Sequence, residues 1–200
     1  MEEIISKEEL IKAKTKKGEG RGMNLRNIGE YVLMKEGEGG LKKLEDLIKS
    51  LGYPIEYKKI DKMDFYPIWV STVSFLATEK LFNFTNKNFQ EMGEMDAKFN
   101  LFIKVFINYF ISLKTLTEAS SKIIKHFAPQ VEVESKEFNE KEKYAILRIK
   151  NFDISKYHCQ YFIGFANAII KMASKENPIC EETKCPLQGD DCHEFTLRWS

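Results

Sequence analysis

The positions of the cysteines constrain this chain more than any other feature of its sequence. All four cysteines of the 200 residues fall between Cys159 and Cys192, and three of them share a short C-terminal stretch with Glu182. Structural zinc takes four ligands in a tetrahedron, and thiolate is a preferred donor. Clustered thiols beside a carboxylate therefore predict one zinc site, with the candidate ligands Cys159, Cys180, Glu182, Cys185 and Cys192.

The surrounding residues indicate how such a site would form. Pro186 and Gly189 favour a turn between Cys185 and Cys192, which would bring those two sulfurs together. Cys159 falls in the first turns of a predicted helix, on the face that would meet a sheet. Cys180 or Glu182 would complete the site, and strand alternation does not decide between them.

Two other interpretations of the cysteines remain open. Buried cysteines often act as small hydrophobic side chains. A disulfide between neighbouring thiols would need an oxidising compartment or a thermophile. His158 and His193 each adjoin a cysteine, but we expect both to be surface histidines rather than ligands.

The composition is that of a soluble globular protein. Apolar residues make up 43% of the chain, charged residues 30%, and the net charge is +1. This balance argues against a nucleic-acid partner. A membrane-spanning helix needs about 20 mostly apolar residues, and the apolar stretches here are interrupted by polar side chains, so we expect no membrane span and a cytoplasmic location. Two segments are predicted, an N-terminal helix and flexible tether (1–23) and a single ligand-binding domain (24–200).

The first half of the domain has helical patterns. Capping signals predict a short helix after Ser6, a helix from Pro67 to about Phe82, a long helix from Thr85 or Asn86 to about Leu113, and another from Thr115 to about His126. Glycines 37, 39 and 40 predict a turn between two helices within 24–52. The segment 55–60 is an extended candidate.

The pattern changes after Pro129. Residues 131–152 predict a β-hairpin, Ser155 is expected to cap a helix from about Lys156 to Ser174, and two further strands follow. The fold class is therefore α+β: a mainly helical half (24–127) packs on an antiparallel sheet (128–200) built in the order β-hairpin, helix, β-hairpin.

The C-terminal cluster resembles the signature of the 4-vinyl-reductase domain family, a predicted hydrocarbon-binding module. The resemblance rests on Glu182-x-x-Cys185 followed by the segment from Gln188 to Cys192, and on the upstream helix from Tyr161 to Ala166. It covers roughly residues 110–199. Related domains sense aromatic compounds in bacterial transcription activators.

The resemblance implies a zinc site, a fold and an oligomeric state. Some related domains hold zinc through three cysteines and a glutamate, which would make Cys159, Glu182, Cys185 and Cys192 the ligands here. The loop from Cys185 to Cys192 looks one residue shorter than usual, and Cys180 is an additional thiol nearby. The implied ligand-binding fold is shared with haem-based nitric-oxide sensors and a vesicle-tethering subunit, often as homodimers.

Aromatic side chains suggest a ligand pocket. Phe99, Phe102, Phe106 and Phe110 form one helical stripe, which is typical of a core or a dimer interface. The family resemblance favours an apolar cavity instead, with the candidate ligand-binding residues Phe102, Phe106, Tyr109, Tyr161 and Phe165. Haem is a weaker alternative, because it needs an axial ligand such as His126.

These patterns predict a domain that binds or senses a hydrophobic or aromatic small molecule and contains structural zinc. The sequence has no convincing dinucleotide fingerprint, no nucleophile elbow and no HExxH helix, so an enzyme is not favoured and no catalytic residue is assigned. The alternatives are a reductase or accessory factor for a vinyl-bearing tetrapyrrole-like substrate, and a dimeric interaction scaffold.

Overall fold

The computed structural model describes residues 4–100, 103–105, 112–152 and 154–200. The helices are α1 (Lys7–Lys14), α2 (Gly22–Ser50), α3 (Ile68–Phe82), α4 (Asn86–Phe99), α5 (Leu113–Phe127) and α6 (Lys156–Ser174). Residues 103–105 are also helical. The strands are β1 (Glu19–Arg21), β2 (Phe65–Pro67), β3 (Glu132–Asn139), β4 (Tyr144–Lys150), β5 (Pro178–Lys184) and β6 (His193–Trp199).

The strands build two antiparallel sheets. β1 and β2 form a small pair, and the larger sheet has the order β3-β4-β6-β5. Helices α5 and α6 cover one face of the larger sheet, where its inward side chains form an apolar core. A second core lies among the helices of the N-terminal half. This arrangement confirms the α+β class and the hairpin–helix–hairpin order.

Several predicted boundaries are also confirmed. Ser6 caps α1 through a complete capping box with Glu9, and α6 spans Lys156–Ser174 with Ser155 in the N-cap position. The glycine-rich break within 24–52 is a single non-helical residue, Gly37, which kinks α2 at φ 70°.

Other predictions were wrong. The helix expected to reach Leu113 ends at Phe99, and the helix expected to start at Thr115 begins at Leu113 with a Ser112 cap. Residues 57–59 form a 3₁₀ turn rather than a strand. Part of the expected tether is strand β1, which pairs with β2 because its backbone groups find partners there.

No helix among the described residues combines the length and the apolar character needed to cross a membrane.

Candidate functional site

Four potential metal ligands converge where the start of α6 meets the end of β5 and the start of β6. The Sγ atoms of Cys159 and Cys185, a carboxylate oxygen of Glu182 and a ring nitrogen of His193 all lie within 4.8 Å of one another. His193 Nδ1 is 2.7 Å from Glu182 Oε1 and 3.8 Å from Cys159 Sγ. We refer to these four residues as the metal group.

A β-bulge in β5 allows this convergence. Glu182 pairs with Phe195 across the sheet, but the next pair is Lys184 with Glu194, so Thr183 is an extra residue in its strand. The extra residue shifts the alternation of side chains by one position. Cys185 therefore returns to the face that Glu182 occupies, although the two are an odd number of residues apart.

The metal group contains three of the five predicted ligands and one residue that was not predicted. Cys180 lies in the apolar core of the sheet, opposite Leu197. Cys192 directly precedes His193, so strand alternation directs it toward the opposite face, with Arg148 and Glu194. The roles of Cys180 and Cys192 as ligands stay predictions.

Both histidines that adjoin a cysteine are buried, so their expected surface positions were wrong. His193 is 2% exposed and His158 is 9% exposed. Each ring is accommodated because a polar side chain pairs with it, Glu182 for His193 and two serines for His158. The sequence feature that could have identified His193 as a ligand is its position at the start of the last strand, one residue beyond Cys192.

The protein around the metal group disfavours charged thiolates. Burial raises the pKa of the Cys159 thiol well above its ordinary range, and the neighbouring Glu182 and Cys185 raise it further. Burial is also the main cause of the raised pKa of Cys185. A bound cation would reverse this balance, because metal binding deprotonates its thiol ligands. The group can thus hold a metal ion through two sulfurs, one nitrogen and one oxygen.

A cavity lies beside the metal group, between the helical half and the sheet. It has a volume of about 90 Å³. Its described lining comes from helices α2–α6 and from strands β1 and β4, and it is mostly apolar, including Ile68, Phe75, Ile124, Phe127, Ile149 and Phe165. We refer to it as the central cavity.

A buried histidine contributes to the wall of this cavity. His158 Nε2 lies 2.8 Å from Ser71 Oγ, and His158 Nδ1 lies 2.9 Å from Ser155 Oγ. The Ser71 hydroxyl donates to the Ile68 carbonyl, so Ser71 accepts a hydrogen bond from Nε2–H and fixes the tautomer. Burial, followed by the charges of Lys16 and His193, lowers the pKa of His158 to about 3, and the ring is neutral.

A carboxyl group also faces the central cavity. Asp96 is 4% exposed, and its Oδ2 accepts a 2.6 Å hydrogen bond from the Tyr161 hydroxyl. Burial raises the pKa of Asp96, while hydrogen bonds from Tyr161, Asn27 and Asn100 partly offset that rise. The cavity therefore has an apolar interior and a few buried polar groups.

The predicted ligand-binding residues fall in two sets. Tyr161 lines the central cavity, and so does Phe165. Phe102, Phe106 and Tyr109 lie outside the described residues. Sequence reasoning missed Ser71, Asp96 and His158, because a polar residue on a helix gives no sign of whether it faces a cavity.

Comparison with known proteins identifies the fold. No protein-family model matches the sequence, and no curated protein matches it. An H-NOX protein from S. oneidensis, solved in its Fe(II)NO ligation state, is 9% identical with a TM-score of 0.65, covering 90% of this chain and 99% of that one. An H-NOX protein from K. algicida, solved in its Fe(II) unliganded state, is 10% identical with a TM-score of 0.65, covering 90% and 96%.

A second kind of protein shares part of this architecture. Trafficking protein particle complex subunit 3 from Naegleria fowleri, covalently bound to palmitic acid, is 18% identical with a TM-score of 0.51. The match covers 65% of this chain and 92% of that one. At such identities the likeness concerns the fold alone. It confirms the predicted architecture, which H-NOX sensor domains and the trafficking subunit share.

Proposed function

We propose that this protein is a ligand-binding or sensor domain that takes up a hydrophobic small molecule in the central cavity. The observation that supports this most directly is the cavity itself, which has a volume of about 90 Å³ and a mostly apolar lining between helices and sheet. Small-molecule sites in proteins are concave and apolar, with a few polar groups that orient the ligand. The fold neighbours add support, since one was solved with nitric oxide and another with palmitic acid.

The polar groups of the cavity would orient the ligand without changing charge. Ser71 and His158 form one hydrogen-bonded pair, and Asp96 and Tyr161 form another. A buried polar group that is already paired costs little to keep in an apolar wall. Each pair retains acceptor capacity that a ligand hydroxyl or amide could use.

Haem does not fit this chain, although H-NOX structures with the same fold include one used to study heme distortion. The sequence has three histidines. His126 is exposed on α5, outside the central cavity, and both ring nitrogens of His158 are bonded to serines. His193 belongs to the metal group. No histidine therefore presents a nitrogen to the cavity as an axial ligand.

A binding assay with a blocked cavity tests this function. Ala128 lines the central cavity and is buried, so Ala128→Trp would fill it. We expect saturable binding of a neutral apolar fluorophore such as Nile red by the natural chain, and at least about tenfold weaker binding by Ala128→Trp, since the indole would take the space that the fluorophore needs.

The control places the same side chain within α5, nine residues before Ala128. Ala119→Trp adds an indole at a half-buried position that is not among the described lining residues. It should leave binding of the fluorophore unchanged. Equal weakening by both variants, or no saturable binding by any of them, would contradict a ligand site in the central cavity.

We further propose that the metal group holds a structural zinc ion. Its donors suit zinc, which accepts thiolate, imidazole and carboxylate in tetrahedral sites. Four protein ligands would fill the coordination shell, which is typical of a structural rather than a catalytic site. The ion would tie α6 to the final hairpin.

We also propose that the chain belongs to the 4-vinyl-reductase domain family, because three of the four residues in the metal group are ligands that this resemblance implies. That resemblance implies three cysteines and a glutamate, with a loop one residue longer than the one from Cys185 to Cys192. Counting from Cys185 to His193 restores the usual length. His193 would then take the position of the last cysteine, and Cys192 would not be a ligand.

Metal analysis of single variants tests this assignment. We expect one zinc ion per natural chain, loss of zinc in His193→Ala, and retention in Cys192→Ser and Cys180→Ser. His193→Cys should restore zinc, because thiolate is an equally good donor. Zinc loss in Cys192→Ser together with retention in His193→Ala would make Cys192 the ligand.

A further inference from the structure

A second cavity lies next to the central cavity. It has a volume of about 80 Å³ and lies between α5, α6 and the sheet. Its described lining includes Leu116 and Ile123 from α5, Ile169 from α6, and Val133 and Leu147 from the sheet. We refer to it as the distal cavity.

The described wall of the distal cavity is almost entirely apolar. Its two described hydroxyl-bearing residues, Thr117 and Ser120, belong to α5. Thr117 Oγ1 donates to the Leu113 carbonyl at 2.7 Å, and Ser120 Oγ donates to the Thr117 carbonyl at 2.6 Å. Both hydroxyl protons are thus used within the helix. An occupant of this space would meet apolar surface.

The two cavities are adjacent along α6. Ile124, Phe162 and Phe165 line both of them. Residues of α6 that line them run from His158 in the central cavity to Ile170 in the distal one. At 1.5 Å per residue of helix, this lining extends over about 18 Å. The two cavities therefore lie side by side along α6, and the described polar groups are concentrated in the central one.

We propose that the natural ligand is a straight-chain molecule whose alkyl tail occupies the distal cavity and whose uncharged polar end lies in the central cavity; this rests on the function proposed above. The polar end would meet Ser71, Asp96 and His158. The described lining of both cavities contains no lysine or arginine. A charged carboxylate would thus be buried beside Asp96 without a cation, which is costly.

A chain-length series tests the proposal on the natural protein. Binding of hexanol, decanol and tetradecanol would be measured by displacement of the fluorophore. We expect affinity to rise about fourfold for each added methylene until both cavities are filled. The matched fatty acids should bind at least about tenfold more weakly than the alcohols at neutral pH, because their charge would be buried without a partner.

Variants that fill the distal cavity give the second arm. Ser120 of α5 is partly exposed, so Ser120→Phe should be accommodated while its ring enters the distal cavity. Ala166→Trp fills the same cavity from α6. Each should end the rise in affinity at a shorter chain, while binding of the compact ligand benzyl alcohol stays unchanged. Ser120→Phe keeps the test valid if Ala166→Trp fails to fold.

The outcomes separate this inference from the function on which it rests. Binding of benzyl alcohol without any dependence on chain length would overturn the inference and leave the proposed function intact. Tighter binding of the fatty acids than of the matched alcohols would contradict the claim that the polar end of the ligand is uncharged. Failure of every ligand to bind would overturn both.

Discussion

Glu91 connects two helices of the N-terminal half through polar contacts. Its Oε2 accepts a 2.6 Å hydrogen bond from Tyr31 and lies 2.9 Å from the Lys35 ammonium group, both on α2. The Tyr31 hydrogen bond and then Lys35 hold the pKa of Glu91 below its ordinary value of 4.5. Burial, reinforced by Glu91, raises the pKa of Tyr31 to about 12. The carboxylate thus stabilises the packing of α4 on α2.

Replacing this carboxylate should weaken the protein in a pH-dependent way. Glu91→Gln is expected to lower the free energy of unfolding at neutral pH by about 1 kcal/mol, as for a partly exposed charged hydrogen bond. Because the pKa in the folded state is lowered, the stabilisation is complete above pH 4.5 and is lost as the pH falls through the folded value. Urea unfolding of both proteins from about pH 7 to about pH 3 measures this difference.

A matched variant on the same helix controls for the change of residue type. Glu94 forms an exposed pair with Lys98 at 2.7 Å. Glu94→Gln should change stability by no more than a few tenths of a kcal/mol at any pH. A difference between Glu91→Gln and the natural chain that persists unchanged in acid would contradict the role of the Glu91 charge.

For the metal group, the sequence indicated which types of residue are present but not the exact register of the strands that carry them. Clustered cysteines and the family resemblance singled out Cys159, Glu182 and Cys185, which lie together. The bulge at Thr183 decides which side chains face α6, and no local pattern marks it. A single extra residue exchanges the two faces of a strand. Alternation counted from Cys185 therefore could not show whether Cys192 or His193 faces α6.

Helices α4 and α6 approach each other through two glycines. An added Cβ on Gly164 would overlap the Gln90 carbonyl oxygen, and one on Gly93 would overlap the Tyr161 carbonyl oxygen. Both neighbours are backbone atoms, which cannot move aside without shifting a helix. This close contact fixes the position of α6, which contributes to the central cavity and to the metal group.

Gly164→Ala should therefore destabilise the protein by about 2 kcal/mol or more, since overpacking against backbone forces the helices apart. Gly39→Ala is the control: Gly39 is an exposed residue of α2 with nothing within 4 Å of its added Cβ. It should be neutral or stabilise by up to about 1 kcal/mol through helix propensity. Thermal unfolding of both variants checks this, and equal stability of the two would contradict the close helix contact.

Local signals predicted most of the elements, and tertiary contacts account for the exceptions. Ser6 and Ser155 marked helix starts because capping chemistry is local. The end of α4 was missed because the apolar period continues through it. Asn100 adopts an extended backbone there, and its side chain accepts from the Ile103 N–H. Phe99, assigned to a continuous aromatic stripe, is 73% exposed.

At the scale of the whole molecule, α6 joins the two proposed functional regions. His158 lines the central cavity, and the next residue, Cys159, belongs to the metal group. An ion that ties α6 to the final hairpin would also hold one wall of the cavity in place. The metal group and the central cavity thus depend on the same helix.

Native mass spectrometry of the purified chain tests the central claim most directly. We expect the natural protein to carry one apolar small molecule per chain, removable by organic extraction and absent from Ala128→Trp. An apolar molecule that remains equally bound to Ala128→Trp, or a natural chain that carries none and takes up none when alkanols are added, would contradict a ligand site between the helices and the sheet.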